Sequence, residues 1–454
     1  MSWINVLLPE LRSELERKNL GAIKELLKTL KPQDIAELVE ELEDQEKVLV
    51  LRLLDKETIA HIFSELPPQE REELFRLFTR KEVADLLNEL DPDDRARFFD
   101  ELPAEMVKKL LTYLKPEERE VTQLLLNYPP DSVGHAMTPE MVELKPDMTV
   151  EDALKFIREN APEKETIYVA YVTDKEGKLI GRITLADIVL ASPERKIVEI
   201  MDPEPVKVRA SDDREVAAEL ISKYDLLAIP VVDSEDKLLG IVTFDDVIDI
   251  IEEEATEDIH RLAAMEAPAP EEEYFRLKLW RRVRKRLPWL VGLIIAEIGT
   301  GSILKNYSHA LGAIVALAYF IPMLIDTGGN VGSQAVTLVV RALATHEISG
   351  KDFLRVIAHE FFSGLLLGLP LGIISFTISF ILTNNSPVSI AVGISLSLVV
   401  IISNIIGLIL PFFFKLFKID PAVASNPLIT TIMDNIGLII YFYVALFIIR
   451  LLGG

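Results

Sequence analysis

The sequence contains no cysteine, which removes disulfide scaffolds, thiolate metal sites and cysteine nucleophiles. Histidine is scarce, and the six (61, 135, 260, 309, 346 and 359) are scattered without ligand spacing. A basic excess is missing too. Lys and Arg number 48 against 72 Asp and Glu, a net charge of −24, which argues against a nucleic-acid partner because phosphate binding needs a basic face. Neither a P-loop nor a nucleophile–base constellation occurs, so an enzyme is not expected. The first residues, MSWINVLLPELRSELERKNL, lack the basic flank and long apolar core of a signal peptide. The N-terminus is therefore expected in the cytosol.

What is present falls into two solvents. From Leu290 to the last residue, seven Lys/Arg balance seven Asp/Glu, so the whole negative excess sits in the first 289 residues. Residues from about 20 to 127 repeat with a period of 24: Leu42, Leu66, Leu90 and Leu114 share one phase, and Leu30, Leu54, Phe78 and Leu102 another. Pro67, Pro92 and Pro116 fall near the junctions, where proline suits a first helical turn. Each unit reads as two short helices that bury an apolar face only when stacked.

A second duplication spans 133–254. VGHAMTP pairs with VEIMDP, and YVAYVTDKEGKLIGRITLADIV with LAIPVVDSEDKLLGIVTFDDVI. Each copy reads strand, turn, strand, helix, and resembles a tandem pair of cystathionine-β-synthase (CBS) domains. In such pairs a Gly…Thr-x-x-Asp stretch often faces a nucleotide ribose; it occurs here as Gly181, Thr184 and Asp187, and as Gly240, Thr243 and Asp246. Many such pairs bind no nucleotide, so the ligand stays open. An acidic helix follows from Ile248 to Met265, then a basic cluster, Arg281, Arg282, Arg284, Lys285 and Arg286, ahead of Pro288 and Trp289, the composition of a membrane-interface anchor.

Five hydrophobic stretches, roughly 287–304, 308–340, 353–383, 387–414 and 421–449, are long enough to cross about 30 Å of hydrocarbon. The second contains TGGN at Thr327–Asn330 and is expected to bend or break there. Arg341, Lys351, Arg355, Lys415 and Lys418 join the 281–286 cluster on one side of five crossings, leaving Lys305 and Arg450 on the other. The positive-inside rule then puts the N-terminal half in the cytosol and the C-terminus outside.

Ionisable groups inside a bilayer are functional candidates by default: Glu297, Asp326, Glu360 and Asp434. Asp434 lies 12 residues after Ala422, about 18 Å along a helix at ~1.5 Å per residue, near mid-membrane. Asn426, Thr430, Asp434, Gly437 and Tyr441 recur on one helical face, a polar stripe that reads as a pore wall. The alternative is a buried aspartate bonded to a neighbour such as Asn404. The available ligands are all oxygen, which suits Mg²⁺, Ca²⁺ or Mn²⁺ over Zn²⁺ or Cu⁺.

The order of these parts resembles the MgtE family of magnesium channels over nearly all 454 residues, most specifically in PMLIDTGGNVGSQ (Pro322–Gln334) and DPAVASNPLITTIMD (Asp420–Asp434). The resemblance implies a multi-domain chain. Its parts are an all-α helical-repeat domain (1–130), an α/β tandem CBS pair (131–250), an acidic connecting "plug" helix (251–276) and a five-helix transmembrane pore domain (277–454). It implies a homodimer in the bacterial inner membrane, with hydrated Mg²⁺ held by Asp434 in the dimer pore and Asn426 eight residues before it. Gly328, Gly329 and Asn330 join that site. ATP is a candidate modulator. The extra residues around 161–164 in the first CBS copy have no counterpart in the second.

The expected gate is electrostatic. Mg²⁺ bridges acidic faces of the repeat domain (Asp91, Asp93, Asp94), the CBS pair (Glu215, Glu219, Asp225, Asp245, Asp246) and the connector (Asp249, Glu252, Glu253, Glu254, Glu257, Asp258); without it these carboxylates repel. Two other readings stand beside this one: a coupled Mg²⁺ exchanger or Co²⁺/Mn²⁺ uptake protein, and a membrane-anchored CBS nucleotide sensor without a pore.

Overall fold

A computed structural model describes residues 4–161, 164–265, 279–345 and 347–452. The chain divides into two compact units, Met1–Glu254 and Ala255–Gly454, each described by itself. In the first unit, ten helices of 8 to 13 residues run from Ile4–Glu16 to Pro116–Leu126. Pro68, Pro92 and Pro116 open their helices, where the absent N–H is no loss. Thr79 and Glu82 close a reciprocal capping box. Leu42, Leu66, Leu90 and Leu114 are all buried, and alternate helices stack on one another, as the 24-residue period requires.

The same period carries a buried cation that apolar patterning does not reveal. Lys47, Arg71, Arg95 and Arg119 are 24 residues apart. Arg71 Nε donates to the Leu66 carbonyl at 2.6 Å, Arg95 Nη1 to Leu90 at 3.2 Å and Arg119 Nη2 to Leu114 at 3.0 Å. Each guanidinium satisfies carbonyls left over at the end of the preceding helix and complements its dipole. Arg95 is fully buried and also donates to Thr122 Oγ1 at 2.8 Å and Glu118 Oε2 at 2.6 Å; Lys47 pairs with Glu70 instead. Arg95→Ala is expected to destabilise the repeat stack by about 3–5 kcal/mol, the scale for breaking a buried ion pair from one side. Chemical unfolding of the purified chain checks it, and Arg119→Ala, half-buried, should cost less.

The CBS pair forms two three-stranded sheets. In the first, Val142–Leu144 lies parallel to Val169–Thr173, which pairs antiparallel with Leu179–Thr184. In the second, Val208–Arg209, Ala228–Val232 and Leu238–Thr243 repeat that arrangement, with Val231 opposite Gly240 as Val172 is opposite Gly181. The copies strap each other. The segment opening the first copy bonds across the second through Thr138 and Ile241, and the segment opening the second bonds back through Asp202 and Arg182. A Cβ on Gly240 would sit 2.6 Å from the Thr138 carbonyl, and one on Gly181 2.4 Å from Met201 Sδ. Backbone approach therefore dictates glycine at Gly240, while at Gly181 the Met201 side chain takes the space. The helix Phe244–Leu262 leaves the second copy; the rest of the expected connector, residues 266–276, lies outside the described residues, as does His346.

In the second unit, Val283–Asn306, Gly350–Thr383, Ser386–Leu416 and Asn426–Leu452 are long and apolar enough to cross a membrane. A further helix, Ile321–Ala344, packs between the last two and carries Asp326, Asn330, Gln334 and Arg341 among its apolar residues. The expected break at Thr327–Asn330 does not occur. That helix runs unbroken through it, and the interruption comes earlier, as a 3₁₀ turn at Val315–Phe320 before Pro322 at the helix start. The glycines serve packing. A Cβ on Gly328 would meet Val399 at 2.7 Å, on Gly329 Thr430 at 2.8 Å, and on Gly332 Ile429 at 2.6 Å. Small residues are the usual means of close helix approach in lipid.

Candidate functional site

Two places gather the chemistry. The first is a cavity of about 530 Å³ in the second unit, lined by Pro322, Met323, Ile325, Asp326, Gly329, Thr430 and Asp434. Asp434 and Thr430 project from the last helix one turn apart, and Asp326 and Gly329 face them from Ile321–Ala344. Glu297, from the first membrane helix, stands within hydrogen-bonding reach of Asp434, and Asp326 is close enough to act on it electrostatically. Gly299, two residues on, permits this approach: a Cβ there would lie 2.4 Å from Asn435 Oδ1. Asn404, the neighbour that an ordinary buried aspartate would engage, donates instead to the Glu360 backbone carbonyl at 3.3 Å.

Other expected pore residues divide. Asn426 opens the last helix, and its buried Oδ1 has no hydrogen-bond partner among the described residues. Gly329 lines the cavity, whereas Gly328 is buried against Val399. Asn330 is exposed, off the cavity wall, and donates to Asp326 Oδ2 at 3.3 Å. The polar stripe does not continue upward as a pore wall. Tyr441 is fully buried with its hydroxyl donating to the Leu317 carbonyl at 2.8 Å, and Gly437 is buried. Period alone did not distinguish a face that meets space from one that meets the neighbouring helix.

The second place is the junction of the repeat domain with the CBS pair. Asp93 is 8% exposed, and its Oδ1 has no hydrogen-bond partner among the described residues. Burial raises its carboxyl well above the usual range, reinforced by Asp246, Asp94 and Glu165. Glu165 is pushed up to about 8, by burial first and then by the charges of Asp91, Asp246, Asp245 and Glu140. Asp246 is raised to about 6 by burial, against the hydrogen bond from Thr243 that lowers it. Asp91 and Glu140 rise as well, again chiefly through burial. Arg97 is a cation within the cluster, 3.6 Å from Asp249. Glu140 and Glu165 were not picked out from sequence. Both lie in the first CBS copy, Glu140 directly after the VGHAMTP segment and Glu165 directly after the extra residues at 161–164; the Glu165 N–H donates to the Glu140 carbonyl at 2.8 Å.

Of the remaining acidic residues, Glu253 is also close enough to act on Arg97. Glu253 and Glu254 clasp Arg214 at 2.6 and 2.9 Å. Glu215, Glu219 and Asp225 are exposed on or at the end of the helix Arg214–Tyr224, and Glu252 is exposed on the acidic helix. Glu257 pairs with Arg261 in the second unit, where half-buried Asp258 also lies. Among the described residues, no three His, Asp or Glu side chains form a ready cation cage. The candidate nucleotide residues have local work. Thr184 and Asp187 make a reciprocal capping box, and Thr243 donates to Asp246 Oδ2 at 2.5 Å, the pattern that starts a helix.

Family models and known proteins match this chain in sequence and fold. A family model described as a divalent cation transporter, MgtE, matches residues 321–444, one for the MgtE intracellular N domain matches 30–131, and the CBS domain matches 133–194 and 197–253. The magnesium transporter MgtE of Thermus thermophilus is 43% identical over 334 residues, 72% of each chain. That of Bacillus subtilis is 37% identical over 326 residues, 72% of this chain and 71% of its own. Among solved structures, the cytosolic domain of the Mg²⁺ channel MgtE in complex with ATP superposes with a TM-score of 0.52 at 37% identity, over 54% of this chain and all of that one. The soluble part of a magnesium transporter gives 0.53 at 30% identity, over 56% of this chain and 99% of that one. With helical N domain, CBS pair and apolar helices in the same order, this chain belongs to the MgtE family of magnesium transporters, membrane proteins that move an ion rather than enzymes that convert a substrate.

Proposed function

We propose that the chain is a Mg²⁺ channel of the bacterial inner membrane, active as a homodimer and closed by cytosolic Mg²⁺. The observation that carries the reading is the cavity in which Asp434, Thr430 and Asp326 meet. Its charged and hydroxyl donors, Asp326, Thr430 and Asp434, are oxygens, as a hard cation wants, and Mg²⁺ gives up its water reluctantly. A hydrated ion held through its water shell by Asp434, with the Asn426 amide at the helix start, needs no dehydrating cage. It also binds weakly enough to leave. Mg²⁺ is the cargo at this site.

The dimer reading draws on the first membrane helix. None of its apolar window is buried within the single chain, and Ile294, Ile295 and Ile298 are 61–68% exposed, a surface left for lipid or a second copy. The orientation follows the basic residues, with the segments up to 276 in the cytosol and the C-terminus outside. The gate draws on the acidic junction. The unpartnered Asp93 oxygen and its crowded neighbours fit a hard cation that enters with its waters and relieves their repulsion. ATP as a modulator rests on the ATP complex of the 37% identical cytosolic domain; in this chain the Thr-x-x-Asp residues stand at helix starts, where a ribose would compete with capping.

Flux from proteoliposomes tests the reading. Purified chain should pass Mg²⁺ down its gradient without a counter-ion, and millimolar Mg²⁺ on the cytosolic face should stop it while protecting the first 265 residues from protease. Flux that requires a coupled ion, or a protease pattern indifferent to Mg²⁺, would contradict it.

A further inference from the structure

The acidic helix ends in a joint that no divalent ion is needed to close. Glu257 and Arg261 lie one turn apart on Phe244–Leu262. The Arg261 guanidinium reaches Glu257 with Nη2 and Asp420 with Nη1, so one cation bridges two carboxylates that are distant in sequence. Asp420 has a second task. Its Oδ1 accepts the Ala422 N–H at 2.7 Å and starts the 3₁₀ turn Pro421–Val423. Ala422 and Ala424 of that segment are fully buried, in an apolar cluster that Leu262, the residue after Arg261, also joins. Two residues past Ala424 the last membrane helix begins with Asn426 and leads to Thr430 and Asp434. The end of the acidic helix is thus fastened twice, by an ion pair and by a leucine, to the turn that sets where the pore helix starts.

We infer that Arg261 is a positioning residue for the pore: through Asp420 it couples the acidic helix to the start of the last membrane helix, doing permanently at this joint what Mg²⁺ does elsewhere in the gate. The inference rests on the gating reading above. Such a strut biases the closed arrangement without touching the ion. It sets how much cytosolic Mg²⁺ is needed to close, and leaves the maximal flux alone. A fixed charge on the protein serves here because guanidinium presents several donors in a planar fork that can hold two carboxylates at once, whereas a metal ion would make the joint depend on concentration.

The test is a double-mutant cycle on the full chain in liposomes, read as Mg²⁺ flux against cytosolic Mg²⁺. Arg261→Gln should raise the half-closing concentration about tenfold, the scale of one charge-assisted hydrogen bond, with flux at low Mg²⁺ unchanged. Asp420→Asn keeps an oxygen for the Ala422 N–H and should give the same rise. The double variant should rise no further, and Arg261→Lys should recover most of the loss. An unchanged midpoint in Arg261→Gln overturns the inference, and so do single shifts that add in the double variant. An unaltered chain that fails to close with Mg²⁺ would instead strike the gating reading itself.

Discussion

Replacing Asp434 with Asn should abolish Mg²⁺ flux, by at least about 100-fold, while the protein still inserts and assembles. Asn keeps the volume and the hydrogen-bonding oxygen and removes only the charge. At about 4 Å and an effective dielectric near 20, a carboxylate attracts a unit charge by ~4 kcal/mol, and a dication by twice that. Desolvation takes back part of it, yet ~2.7 kcal/mol already corresponds to 100-fold in occupancy. Glu360→Gln is the control. Glu360 is half-buried in another helix and lies off the cavity wall, so its loss should leave flux within about twofold, as surface or off-path changes usually do. Radiotracer or dye-reported Mg²⁺ uptake in proteoliposomes separates the two. Normal flux in Asp434→Asn would remove that carboxylate from the path.

Asp434 stood out in the sequence because a charge in mid-membrane is costly enough to be conspicuous by itself, and it lines a cavity in the structure. The repeat and the CBS duplication were legible for a related reason: each is periodic, and stacking or strapping must repeat to work. The features that sequence hid are those where an expected signal has a second cause. Glycines in TGGN read as a helix break, yet in lipid the same residues mark closest approach, as the 2.7 Å clearance to Val399 at Gly328 demonstrates. Thr-x-x-Asp reads as a ribose contact, and equally as the first turn of a helix. Arg71 and Arg95 are invisible to an apolar period because burial of a cation is unexpected until the leftover carbonyls it serves are known. Glu165 is hidden because its neighbours come from distant parts of the chain.

Those neighbours lead to a dependence on pH and Mg²⁺ together. Carboxyls whose pKa is raised on folding bind more protons in the folded state than in the unfolded one, so stability falls as pH rises through the interval between the two values. For Asp246 and Glu165 the folded values are about 6 and about 8. In the absence of Mg²⁺, the contribution of these carboxyls to the repeat–CBS junction should therefore be fully present below about pH 4, their unfolded range, and be lost progressively up to about pH 8, after which the penalty is complete. Mg²⁺ bound to the deprotonated cluster should restore the loss at high pH and add little at low pH, where protons already occupy the oxygens. At about 100 times its dissociation constant it contributes ~2.7 kcal/mol, a rise of ~5–10 °C in midpoint for a segment of this size. Thermal unfolding of the segment 1–254 is the measurement, since related soluble parts have been crystallised as separate domains. The triple variant Asp93→Asn, Glu165→Gln, Asp246→Asn preserves shape and the acceptor for Thr243. It should flatten the pH profile, erase the Mg²⁺ effect, and in the full chain leave a pore that cytosolic Mg²⁺ closes poorly. If the triple variant keeps both the slope and the Mg²⁺ response, the junction carboxylates are ordinary charges and the sensor lies elsewhere.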